Sequence, residues 1–168
     1  MSASLDKTLR DFGTRILIFG NMIRFSHSVF ALPFALAGVL FAAHAQQRFP
    51  EPRIWFWVVV AMVCARSAAM AWNRLADMRI DAANPRTRDR ALPRGTLTPA
   101  TVWGFTILAV VGFEIACHQL NSLAFFLSPL ALAIVFFYSL TKRFTWGTHL
   151  FLGLGLAVAP VGGWVAVT

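Results

Sequence analysis

Three side chains recur every four residues near the middle of the chain: Asn73, Asp77 and Asp81. On a helix that spacing sets them on one face. Two carboxylates so placed repel, at a cost of about 0.2–0.5 kcal/mol on an isolated helix. A divalent cation between them reverses the sign. Magnesium favours one or two carboxylates supplemented by phosphate oxygens, so this face suits a metal-bound diphosphate. A plainer reading stands beside it: a solvated helix end whose acids are offset by Arg74, Arg79 and Arg86.

The elements that must carry this face are apolar. Hydrophobic residues make up 58% of the chain and charged residues 13%, about half the charged share of a soluble domain. Sixteen Phe and six Trp suit lipid-facing and interfacial positions. The formal charge of +8 is no sign of nucleic-acid binding, because the bases gather in short segments between apolar runs. Cys64 and Cys117 lie inside such runs without metal-ligand spacing and read as inert core thiols.

The periodicity predicts five spans. Ahead of them, Leu5, Leu9, Phe12, Ile16 and Phe19 form one stripe, so residues 1–24 read as an amphipathic segment resting in the interface. The transmembrane domain then occupies residues 25–168. Its first span is expected from Phe25 to Ala45, with a polar start around His27 and a bend at Pro33. The second runs from Ile54 to Trp72 and holds Arg66, a cation that is costly in lipid unless it faces protein or water. At about 100° per residue, Arg66 falls within about 20° of Asn73 and Asp77. One face therefore carries a cation, an amide and two carboxylates, which favours a functional polar cavity over a solvated end.

A basic connector is expected from Arg74 to Thr98, with a turn at Pro93 and Gly95. Thr98 reads as the N-cap and Pro99 as the first residue of a third span reaching Cys117. Glu114 sits near the far end of that span, at the opposite interface or as a buried proton-handling group. The fourth span covers Leu123 to Leu140 and the fifth starts near Thr148. Tyr138 and Lys142 share a face at the end of the fourth, and alone would read as an aromatic and basic interface anchor.

Alternating spans place the amino-terminal segment, the Arg74–Thr98 connector and Lys142-Arg143 on one side, with Arg48 and Arg53 on the other. Cations concentrate on the first side, so the amino terminus and the acidic motif are expected in the cytoplasm. The protein reads as integral to a bacterial inner membrane.

These residues resemble the UbiA superfamily of intramembrane prenyltransferases, in particular its 4-hydroxybenzoate polyprenyltransferase-like branch. The family's first aspartate-rich motif has Asn followed by Asp four and eight residues on, matched here by Asn73, Asp77 and Asp81. The family often has Asp directly after that Asn, where this chain has Arg74. Arg66 is similar to the family's second-helix arginine, and the stretch from Arg90 through Pro93, Arg94 and Gly95 to its basic Pro-Gly segment. Tyr138 and Lys142 match its Tyr-x-x-x-Lys, and the glycines leading to Gly163-Trp164 are family-like.

The resemblance implies an all-α polytopic bundle, with about five transmembrane helices present of about nine in the family fold. It implies that this is an amino-terminal portion lacking a second aspartate-rich motif, inactive alone. The implied activity is magnesium-dependent transfer of a polyprenyl group from a prenyl diphosphate to an aromatic acceptor such as 4-hydroxybenzoate, in ubiquinone or menaquinone biosynthesis. Asp77 and Asp81 would bind Mg2+ with help from Asn73, while Arg66, Lys142 and Tyr138 meet the diphosphate. Arg24 or Arg94 would hold an acceptor carboxylate. The implied partners are these two substrates and the lipid bilayer, and no nucleic acid. The rival readings are a haem- or chlorophyll-type prenyltransferase, a non-catalytic multi-span binding or assembly subunit, and half of a transporter. The last expects an internal repeat, which the sequence does not show.

Overall fold

The computed structural model describes residues 20, 25–141 and 144–168, the side chains of 25–30 excepted. Among the described residues five helices are laid out: α1 (Phe25–Ala45), α2 (Pro52–Ala83), α3 (Pro99–Leu120), α4 (Ser122–Thr141) and α5 (Thr148–Val165). There is no strand among the described residues. Helices α2 to α5 are each long and apolar enough to cross a membrane, and α1 is apolar from Ala31 to Ala45. Large apolar side chains such as Phe41, Phe126 and Leu150 remain exposed on the outside of the bundle, as a lipid-facing surface requires. The chain is an integral membrane protein.

Five helices stand where five spans are expected, four of them long and apolar enough to cross a membrane, and one boundary needs correction. The connector does not begin at Arg74, because α2 continues without a break to Ala83. No breaker intervenes until Pro85, and the residue before a proline, here Asn84, is pushed out of the helical region. At about 1.5 Å per residue, the 32 residues of α2 extend about 48 Å. A bilayer core is about 30 Å thick, so the apolar part up to Trp72 is already enough to cross it. The turns carrying Asn73, Asp77 and Asp81 continue the same unbroken helix past that apolar part.

The remaining connector, Asn84 to Thr98, is folded back on that extension. Thr87 Oγ1 donates to the Asp81 carbonyl at 3.0 Å, and the Arg86 backbone N–H donates to Asn84 Oδ1 at 3.0 Å. Gly95 closes the turn at φ +71°, in the left-handed region that favours glycine. Leu92 and Leu97 then pack beside Ala71 and Val102. Thr98 caps α3 by accepting from the Thr101 N–H at 3.2 Å, as its position before Pro99 predicts.

The helices contact one another in chain order and close into a ring, because α5 returns onto α1; α2 also meets α4 across it. Closure is tight. A Cβ on Gly38 would strike the Pro160 carbonyl, and one on Gly163 the Ala35 carbonyl, so backbone lies against backbone. The Val167 carbonyl accepts from Gln46 Nε2 and Arg48 Nη2, each at 3.2 Å. Asn121, the single residue between α3 and α4, donates from Nδ2 to the Val165 carbonyl at 2.7 Å and accepts the Ala124 N–H at 2.7 Å. Glu114 is an interhelical tie: Ser128 Oγ on α4 donates to its Oε2 at 2.5 Å.

Candidate active site

The site is built on one face of α2. Because the helix is continuous, Arg66, Asn73 and Asp77 align as the periodicity requires. Asp77 and Asp81 are 9% and 6% exposed, which disposes of the solvated helix end. A carboxylate is kept inside only where something compensates its charge. For Asp81 that is Arg90: its Nη1 donates to Oδ1 at 2.8 Å and to Oδ2 at 2.7 Å. Asp77 is also engaged by a neighbour.

Helix α4 supplies the opposite wall. Asn73 Nδ2 donates to Ser139 Oγ at 3.2 Å, a bond that does not use the side chain's amide oxygen. One turn away, Trp72 Nε1 donates to the Phe136 carbonyl at 3.1 Å. These two bonds bring Tyr138, half-buried and itself engaged, to the Asn73 end of α2. Lys142 and Arg24 lie outside the described residues, as does the interfacial segment apart from Gly20. Arg94 is exposed in the connector turn.

Arg66 Nε is buried without a hydrogen-bond partner among the described residues. An unpaired buried guanidinium donor is costly, and an anion would satisfy it. Beside the connector, a cavity of about 580 Å³ is lined by Arg86, Thr87, Asp89 and Arg90. Sequence reasoning noticed Arg90 only as the start of a basic stretch and missed its role beside Asp81. Its spacing of nine residues from Asp81 matches no helical face, and only the chain reversal at Asn84-Pro85 brings the two together. Ser139 was missed because its partner is 66 residues away in sequence.

A comparison with family models matches residues 31–168 to the UbiA prenyltransferase family. The chain belongs to this family. Among UbiA-family relatives, it is 32% identical over 178 residues to a protoheme IX farnesyltransferase from Synechococcus elongatus, covering 100% of this chain and 54% of the relative. It is 33% identical over 125 residues to a 4-hydroxybenzoate octaprenyltransferase from Vibrio atlanticus, covering 74% and 44%. The apo structure of a UbiA homologue from Aeropyrum pernix superposes with a TM-score of 0.79 at 34% identity, over 84% of this chain and 50% of that one. The chain thus spans about half the length of the relatives it matches.

No group of three or more His, Cys, Asp or Glu side chains is close enough to hold a metal among the described residues. The donor chemistry nonetheless fits a hard cation shared with a phosphate ligand. Asp77 and Asp81 offer two carboxylates, Asn73 offers an amide oxygen, and phosphate oxygens would complete the usual magnesium set.

Proposed function

We propose that this chain supplies one of two acidic motifs in a UbiA-type prenyltransferase. The reaction transfers a polyprenyl group from a prenyl diphosphate to an aromatic acceptor such as 4-hydroxybenzoate, in quinone biosynthesis. The observation that carries this reading is the row on α2: two buried carboxylates and an amide in line with Arg66, whose buried Nε has no hydrogen-bond partner among the described residues. A non-catalytic assembly subunit has no need of an unsatisfied buried donor in line with two buried acids on one helix.

Asp77 and Asp81, with the Asn73 amide oxygen, would hold Mg2+. When bound, the metal supplies electrostatic stabilisation to the departing diphosphate. The bond between the allylic carbon and the diphosphate oxygen breaks, and its electron pair leaves with the diphosphate. Arg66 and Lys142 neutralise that charge and Tyr138 donates a hydrogen bond to it. The acceptor ring then forms the new carbon–carbon bond and loses a proton. Arg24 or Arg94 holds the acceptor carboxylate, the apolar faces of the helices receive the isoprenoid tail, and residues 1–24 rest on the interface. A second reading, a haem-type acceptor, is favoured by the Synechococcus relative, whose similarity covers the whole chain.

The test is a prenyl-transfer assay in lipid, with Mg2+, a polyprenyl diphosphate, and either 4-hydroxybenzoate or haem as acceptor. Residues 1–168 alone should give no product, since one acidic motif supplies half of the charge clamp. Supplying the remainder of a family-length protein, in frame or as a second chain, should restore turnover with one acceptor. No product with either acceptor from the restored protein would overturn the reading.

The orientation is tested separately. The cations flanking the acidic motif support a cytoplasmic position for it, in our reading of the chain as a bacterial inner-membrane protein. A reporter fused after Arg94 should score as cytoplasmic and one after Gln47 as external. The opposite pair of results would put the motif on the wrong side for soluble substrates.

A further inference from the structure

Arg90 holds both oxygens of the carboxylate that the proposed function assigns to a metal. Its Nη1 lies 2.8 Å from Oδ1 and 2.7 Å from Oδ2 of Asp81. A dication on either oxygen would stand a few ångströms from a guanidinium, and in a partly buried site that repulsion is poorly screened. The two cations compete for one seat.

The partners differ in freedom. The Asp81 side chain is 9% exposed and fixed on a rigid helix, whereas the Arg90 side chain is 32% exposed on the connector. The connector is pinned at the same point by Thr87 Oγ1, which donates to the Asp81 carbonyl. Arg90 also lines the cavity with Arg86, Thr87 and Asp89. A displaced guanidinium therefore has a polar space to enter, with the Asp89 carboxylate on its wall.

We propose that Arg90 is a counter-ion latch on the metal face. Without metal it neutralises Asp81 and clamps the connector over the end of α2. When a divalent cation takes Asp81, Arg90 is released into the cavity, beside the Asp89 carboxylate. Arg90 is thus a positioning residue acting through Asp81, and the inference rests on the proposed metal role of Asp77 and Asp81.

The latch and a merely supporting role give opposite signs. Binding is reciprocal: a group that metal must displace weakens the metal, whereas one that only orients Asp81 strengthens it. The test is Mn2+ binding to purified residues 1–168 in detergent, read from the electron paramagnetic resonance of the free ion. Arg90→Gln should bind Mn2+ about three- to tenfold more tightly than wild type. Arg90→Lys, which keeps a cation, should fall between the two, and it serves alone if Arg90→Gln does not fold. Asp77→Asn should lose the site.

A second readout is trypsin cleavage at the exposed Arg86 and Arg88. Mn2+ should accelerate it severalfold in wild type, and unchanged or slower cleavage would overturn the latch. Equal Mn2+ binding by wild type and Asp77→Asn would remove the metal face and the latch with it. Binding that depends on Asp77 but is unchanged or weakened by Arg90→Gln overturns the latch alone and leaves the proposed function standing.

Discussion

Replacing Asp77 with alanine in a family-length protein carrying these residues is expected to lower prenyl transfer by a factor on the order of 10²–10³ or more. Losing one charge-stabilising group aimed at a developing anion typically costs that much, and here the lost group is also a proposed metal ligand. Asp81→Ala should be as severe. It additionally removes the carboxylate 2.7 Å from the Arg90 guanidinium, and with it the ion pair that ties the connector to α2. Glu51→Ala is the control. Glu51 is an exposed carboxylate at the opposite end of α2, with no side-chain bond to the helix terminus. Initial rates at saturating Mg2+ and prenyl diphosphate measure the difference. Asp77→Ala working as fast as Glu51→Ala would remove the central claim about the acidic face.

Gly38→Ala and Gly163→Ala are expected to destabilise the bundle, although alanine is the better helix former. In each case the added Cβ meets backbone, the Pro160 carbonyl or the Ala35 carbonyl. No flexible side chain is there to move aside. Helices α1 and α5 must separate, and overpacking of this kind costs about 1–3 kcal/mol. Leucine at either position should prevent closure of the ring altogether. Gly153→Ala and Gly155→Ala meet nothing within 4 Å and should be neutral, or gain up to about 1 kcal/mol from helix propensity. Thermal unfolding in detergent, followed by monodispersity on a sizing column, ranks the four variants. If all four unfold together, α1 and α5 are not packed as described.

How far each feature was readable depended on the range of the interaction behind it. The far end of α1 matched because Ala45 closes one apolar run. Thr98 capped α3 because a cap uses atoms only three residues apart. The end of α2 was misplaced for a related reason. Composition turns polar after Trp72, but polarity does not stop a helix; only Pro85 does, through Asn84. The coaxial row from Arg66 to Asp81 was visible because it depends on helical period alone.

What the amino-acid sequence determined by itself is therefore the local part. It set the helices, their membrane character, the acidic face, the cap and the glycine turn, since each follows from composition or from contacts within a few residues. What only the tertiary structure decided is which distant groups meet. Arg90 reaches Asp81 because the connector folds back under Leu92 and Leu97. Ser139 reaches Asn73 because α4 crosses α2, and α5 closes on α1 where two glycines admit its backbone. The physical reason is that a counter-ion or a close helix contact is chosen by packing the whole bundle, where many cations and many glycines satisfy the local rules equally well and the three-dimensional arrangement selects among them.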